Sequence, residues 1–410
     1  MEIFLTLFTQ KKYYFVAVFF TLRLIISLAV SDGTIKSDGI TYVGVLVNLQ
    51  KHASLAAALP EDETTAQNLH SFSELHSYLS QDEEPTIRLL HFQWFHAAFF
   101  YPILALFPSV YGIIIINNLF LLGSGMLLFR TLPPLPQCIA WCLLLFYPPL
   151  FYLTNNFFSE PLFIFLLSGL WYHWQTKKFS GWVIFVFAAA LSLSRPIGAV
   201  YAALFSLYFL FDKRKIEAGI LFISILTGIG IDVMLYQHLP PHKAVYHSPS
   251  VVEAVYLSNT PKGNGDIDFY SAHPELQRQD TAYLQAERLP EKLVLQIAQN
   301  PEAFSELCIN KFQQMLFNVV PDSWVYGNAS VQSFYKKISW YFITVPLWGI
   351  LFLAILRYEK YRYFTFLGIT FILHFFIIAR FRYLLPVLII ALPFMAEMIS
   401  EYFKKQNGSA

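Results

Sequence analysis

Ten apolar runs recur along the chain, at 13–30, 110–129, 137–154, 160–176, 181–194, 197–211, 215–236, 339–356, 363–379 and 384–402. A helix needs about 20 apolar residues to cross the hydrocarbon core of a bilayer, where only helices and closed barrels satisfy their own backbone. Of the 410 residues, 56% are hydrophobic and only 13% are charged, against roughly 25% charged in soluble domains. The expected fold class is therefore an all-α polytopic membrane protein with about 10–12 transmembrane helices and two periplasmic or lumenal loops carrying juxtamembrane helices.

Orientation follows from the basic residues of the short connections, which stay in the cytoplasm. Lys11 and Lys12, Lys177 and Lys178, "DKRK" at 212–215, "RYEKYR" at 357–362 and Lys404 with Lys405 all take that side. The run 13–30 then reads as an uncleaved signal anchor. "FQWFHAAFFYPILALF" at 92–107 breaks the count, because a full crossing there would strand residues 31–91 on the wrong face; with His96 and Pro102 inside it, it reads as interfacial or re-entrant. An extra crossing is the alternative. Three parts result: a transmembrane module at 1–236 with a first outer loop at 31–109, a large outer loop at 237–338 with a helix expected over about 281–318, and C-terminal transmembrane helices at 339–410.

This topology brings a set of charged residues to one outer face: Asp38 in "SDGITYVG", Glu160 opening the fourth run, Arg195 in "LSRPIG", and Arg380 and Arg382 in "ARFRYLLP". Carboxylates and guanidiniums at one membrane surface suit transfer from a lipid-linked phosphate donor. A carboxylate serves as general base to an incoming hydroxyl, and arginines hold a departing phosphate through charge-assisted hydrogen bonds. Each residue also has a plainer reading. Glu160 suits a helix N-terminus, Asp38 before a glycine suits a turn, and Arg195 before a proline suits a helix end. Arg380 and Arg382 beside Tyr383 suit interfacial anchoring, and Arg23, within the first run, is expected to snorkel along its stem.

Other chemistries find less support. The net charge of +1 argues against nucleic acid as a partner. Cys138, Cys142 and Cys308 imply no disulfide framework. The histidines of the second loop lack metal-ligand spacing, so no metal site is expected there. No Walker or GxGxxG sequence occurs.

Four stretches resemble the glycosyltransferase-C superfamily, and within it the family 39 type: protein O-mannosyltransferases, aminoarabinose transferases of lipid A, and the related GPI mannosyltransferases that add the second mannose. They are "DGITY" at 38–42, "AFFYPILALF" at 98–107, the block "FYPPLFYLTNNFFSEPLFIFLLSGLWYHW" followed by "GWVIFVFAAALSLSRPIG", and "IAQNPEAFSELCINKF" at 297–312 with "RYLLP" at 382–386. The resemblance implies the fold of that superfamily and an inverting sugar transfer from a polyprenyl-phosphate donor to a glycan, lipid or protein acceptor. By position, Asp38 is the catalytic base and Glu160 assists near the acceptor or donor sugar. Arg195, Arg380 and Arg382 are donor phosphate ligands supported by Tyr383, and Lys311 is a further contact. Tyr42 belongs to the first-loop motif; the basic residue that the aminoarabinose transferases place before their second helix has no clear counterpart, Arg88 and His91 being the nearest. No tryptophan precedes Asp38 as it does in the GPI enzymes. No cofactor is assigned, with a divalent cation left open, and the phenylalanine- and isoleucine-rich composition fits a bacterial inner membrane, with the site facing the periplasm, better than an endoplasmic reticulum. A transporter or flippase of a lipid-linked glycan is the alternative, and a non-catalytic assembly protein a third.

Overall fold

A computed structural model describes residues 2–235 except 32, 34, 36, 37, 63, 64, 67, 68, 70 and 91–93, together with 239–247, 255, 256, 258, 259, 289–317, 344–358, 361–377 and 381–406. In chain order the elements are α1 (Glu2–Val30), α2 (Asp38–His52), β1 (Ala57–Ala58), α3 (Phe72–Leu79), β2 (Ile87–Leu89), α4 (Trp94–Leu106), α5 (Val110–Leu128), α6 (Pro134–Phe146), α7 (Pro148–Thr154), α8 (Glu160–Thr176), α9 (Gly181–Ser194), α10 (Pro196–Phe211), α11 (Lys215–Leu235) and β3 (Val245–His247). There follow α12 (Leu289–Gln299), α13 (Pro301–Phe317), α14 (Val345–Tyr358), α15 (Tyr361–Ile377), a 3-10 turn (Phe381–Tyr383) and α16 (Leu385–Gln406).

The described residues are predominantly helical, and the long helices carry a membrane protein's inverted surface. Residues 10–30 of α1, all of α5 and α11, and residues 385–403 of α16 are each long and apolar enough to cross a bilayer. On α11, Phe222, Ile223, Leu226 and Val233 each expose more than half of their surface, which water would penalise and lipid does not. Inside the bundle, Trp141, Phe163, Trp171 and Phe205 are buried in a single apolar core.

The run expected as one span over 137–154 is two helices, α6 and α7, bent by 54°. Pro148 and Pro149 cause the break, because neither offers an N–H to the carbonyls of Leu144 and Leu145 four residues back. Inside a membrane such a carbonyl has no water to turn to. Arg23 supplies the donor: its NH1 donates to the Leu145 carbonyl at 2.5 Å, its Nε to Asn118 Oδ1 at 2.6 Å and its NH2 to Thr154 Oγ1 at 3.0 Å, with the guanidinium over the Phe151 ring. Arg23 therefore does not snorkel; it is fully buried. Asn117 extends the network to the carbonyls of Thr154 and Asn156, and Asn155 reaches the Ser27 carbonyl. The helix expected over 281–318 also differs: among the described residues it is α12 and α13, interrupted at Asn300, since the following Pro301 cannot continue the hydrogen-bond ladder.

A smaller outer layer holds α2, α3 and α4 over a second apolar core of Tyr42, Val43, Leu46, Trp94, Phe100 and Phe157. Helix α3 opens with a capping box, Ser71 Oγ accepting from the Glu74 N–H while the Ser71 N–H donates to Glu74 Oε2, and it buries Phe72, Leu75 and Leu79 on one face. Strand β1 pairs antiparallel with β2, and β2 pairs parallel with β3, placing Ile87, Arg88 and Leu89 opposite Val245, Tyr246 and His247. Lys243 bridges Glu61 and Asp82 at 2.7 and 2.6 Å beside this sheet. Segments from both expected outer loops thus share one sheet. Helix α4, 13 residues with Pro102 inside it, spans only about 20 Å at 1.5 Å per residue, short of the roughly 30 Å hydrocarbon core, and α9 and α10, with 14 and 16 residues, fall short of it too.

Replacing Arg23 with Met should cost about 3 kcal/mol, because three buried acceptors lose their donor where water cannot replace it. Thermal unfolding of the purified protein in detergent measures it. An unchanged transition would mean that the break at Pro148 and Pro149 needs no such donor.

Candidate functional site

Four separate segments meet at the boundary between the bundle and the outer layer, and local sequence explains how each arrives. Asp38 is the first residue of α2. The glycine after it permits the approach, since a Cβ on Gly39 would lie 2.8 Å from the Ile35 side chain and 3.1 Å from Phe157 Cβ. Phe157 belongs to the stretch leading into Glu160, which opens α8 with Pro161 behind it. Arg195 sits in extended conformation (φ −161°, ψ 149°) between α9 and α10. That turn closes because Gly198 has no Cβ, which would stand 1.9 Å from the Leu191 carbonyl oxygen. Arg382 and Tyr383 occupy the 3-10 turn before α16.

Arg382 is the centre. Its NH2 donates to Asp38 Oδ2 at 2.8 Å and to the Tyr383 hydroxyl at 2.9 Å, and its Nε lies 3.5 Å from Glu160 Oε1. Arg195 NH1 lies 2.6 Å from the same Glu160 oxygen. Both guanidiniums stand over the Tyr383 ring, at 4.7 and 4.9 Å, and Arg382 also stands over Phe158. His374 stacks on the other ring partner, Tyr383, at 4.5 Å and 10°. The close contacts at Glu160 are not aligned as hydrogen bonds: Glu160 Oε1 accepts none and Arg382 Nε donates none. Arg382 therefore keeps one donor that the carboxylates do not consume. Exposure separates the two acids, since the Asp38 side chain is 38% accessible and that of Glu160 only 1%.

The electrostatics follow from this burial. Burial opposes the charge on Arg382, but Asp38, with Tyr383 and Glu160, holds its pKa above the ordinary guanidinium value. Burial likewise opposes the charge on Arg195, and Glu160 outweighs it. Tyr42 stands beside the group, hydrogen-bonded to Ser159, and burial followed by the charge of Asp38 pushes its phenol up, so it stays neutral. Each guanidinium is a permanent cation and each has a carboxylate close by. The assembly is suited to receiving an anion with a hydroxyl donor alongside.

Of the residues expected from sequence, the structure brings together Asp38, Tyr42, Glu160, Arg195, Arg382 and Tyr383. It does not bring Lys311 to them. The Lys311 ammonium is fully buried on α13, donating to Asn259 Oδ1 at 2.6 Å and to the Phe375 carbonyl at 2.9 Å. Arg380 and His91 lie outside the described residues. Sequence reasoning missed Phe158, Ser159 and His374. The first two adjoin Glu160 in "NNFFSEP" and were within reach, whereas a histidine on an apolar helix carries no local signal of its stacking partner. Among the described residues no group of three or more His, Cys, Asp or Glu is placed to hold a metal ion.

Burial lowers the pKa of Lys311 from an ordinary 10.5 to about 8, with Cys308 opposing weakly. The folded chain thus binds this proton less well than the unfolded chain, so the penalty is fully present below pH 8 and fades as pH rises toward 10.5. Thermal unfolding between pH 7.5 and 9.5 should show the unaltered protein gaining stability relative to Lys311→Met; parallel curves for the two would remove the buried ammonium as the cause. Searches of protein-family models and of curated proteins found no match to this chain, and the functional reading rests on the geometry above.

Proposed function

We propose that this chain is an integral-membrane glycosyltransferase that moves a sugar from a polyprenyl-phosphate donor to an acceptor hydroxyl at the periplasmic or lumenal face. The observation that carries the reading is the convergence of Asp38, Glu160, Arg195 and Arg382 from four segments, with one accessible carboxylate and two guanidiniums beside it, one of which, Arg382, keeps an Nε without an acceptor. The resemblance to family 39 transferases points the same way.

In this reading the acceptor oxygen attacks the anomeric carbon from the side opposite the phosphate, giving inversion. The bond from that carbon to the phosphate oxygen breaks, and polyprenyl phosphate departs with the electron pair. The hydroxyl proton passes to Asp38, the accessible acid. Arg195 and Arg382 take the charge that develops on the phosphate, both guanidiniums already standing over the Tyr383 ring. A phosphate arriving on Arg382 draws that guanidinium from Asp38, which strengthens the carboxylate as a base when the donor is present. Glu160, enclosed between the arginines, is a positioning residue.

The topology of ten crossings agrees with the shared sheet. Strands β2 and β3 lie on one side of a membrane, so the chain between them crosses an even number of times. The runs at 110–129, 137–154, 160–176, 181–194, 197–211 and 215–236 make six. A seventh crossing by α4 would separate the strands, which favours the interfacial reading of 92–107.

The decisive experiment is mass spectrometry of envelope lipids, glycans and surface proteins from cells lacking this chain, restored with the unaltered protein or with Asp38→Asn at equal abundance. The unaltered chain should restore a sugar-sized mass increment on one species. Asp38→Asn should lower it at least about 100-fold, the usual contribution of a general base. Full restoration by Asp38→Asn would refute the proposed chemistry.

A further inference from the structure

Helix α1 carries a second polar site at the end opposite Asp38. Lys12, before the apolar part of α1, and Arg130, just beyond α5, line one cavity of about 320 Å³. Helix α1 is kinked at Lys11, where the backbone leaves helical geometry (φ −124°, ψ 30°). The two helices run antiparallel, joined at depth by the hydrogen bond from Arg23 to Asn118, which is why their basic ends coincide. Lys12 is half-buried with its ammonium 5.2 Å from the Tyr13 ring, and Arg130 is exposed. Neither forms an ion pair among the described residues.

Away from this rim the lining changes character. Apart from Gln137, the rest of the wall is apolar or aromatic, with Val16, Met126, Leu127 and Trp141 its larger part, and Met126 is 44% exposed on a helix of membrane-spanning length. The cavity is thus cationic at one edge and apolar along the face that adjoins lipid. A soluble anion has no use for that wall, whereas a phospholipid has the same order of parts. Basic residues at a cytoplasmic membrane surface attract anionic headgroups, and acyl chains gain from contact with apolar side chains that pack around them.

We propose that this groove binds an anionic phospholipid, with its headgroup phosphate on Lys12 and Arg130 and one acyl chain along Val16, Met126 and Trp141. The site stands on the membrane-spanning character of α1 and α5 and is independent of the transfer chemistry at Asp38.

The test uses the full chain in phosphatidylcholine nanodiscs containing a trace of phosphatidylglycerol or phosphatidylcholine with a photoreactive acyl chain, followed by peptide mapping. The phosphatidylglycerol probe should label residues 13–16 and 126–141 preferentially. Lys12→Gln together with Arg130→Gln should cut that labelling at least about tenfold, as expected for two basic residues at an anionic surface. Equal labelling of the groove by both probes in the unaltered protein would overturn the proposal without recourse to any variant. Unchanged labelling in the double variant would also overturn it. Loss of labelling on adding millimolar glycerol phosphate would assign the cations to a soluble phosphate and overturn it as well.

Discussion

Arg382 placed between Asp38 and Glu160 is the interaction on which the arrangement of the outer face depends. A guanidinium buried near a membrane is tolerated only where carboxylates and hydroxyls replace its water. Here those partners come from α2, from α8 and from the adjacent Tyr383. Arg195 repeats the demand from the turn between α9 and α10 and shares the same Glu160 oxygen. Segments far apart in sequence are therefore locked together by the electrostatic cost of leaving any one of them alone.

A second buried arginine does related work deeper in the bundle. Arg23 answers the carbonyl exposed by Pro149, and the network around it reaches Thr154, Asn155 and Asn156 through Asn117, Asn118 and the Ser27 carbonyl. Those three residues begin the stretch that delivers Phe157, Phe158 and Glu160 to the site. The break in the helix and the placement of the carboxylate are thus one structural device. The two arginines differ in what remains over: the Arg23 guanidinium bonds protein acceptors through all three of its nitrogens, whereas Arg382 keeps an unaligned Nε.

The outer layer supplies the third constraint. It joins residues 57–58 and 87–89 to 245–247 in one small sheet and fixes Lys243 between Glu61 and Asp82. The ion pairs are exposed and contribute little by themselves. The strand pairing matters more, because it ties the two outer segments together over α2 and so over Asp38.

Much of this was readable along the chain. Hydropathy is a local, additive property, so apolar runs announced helices near 110–129, 215–236 and 384–402, and basic connections announced which ends face together. The charged residues at four helix ends could be assigned to one face on that basis alone. Strands of two and three residues left no periodicity to read, and the fate of Arg23 could not be told from its own surroundings, since its partners stand 95 to 131 positions away. Lys311 illustrates the same limit, resembling a site cation in sequence while its hydrogen bonds belong to Asn259 and Phe375. The sequence by itself determined that the chain is helical, apolar and charged at selected helix ends, because those properties reside in each residue and its near neighbours. Only the tertiary structure decided which charges meet, because desolvation and pairing depend on distances that no single segment contains.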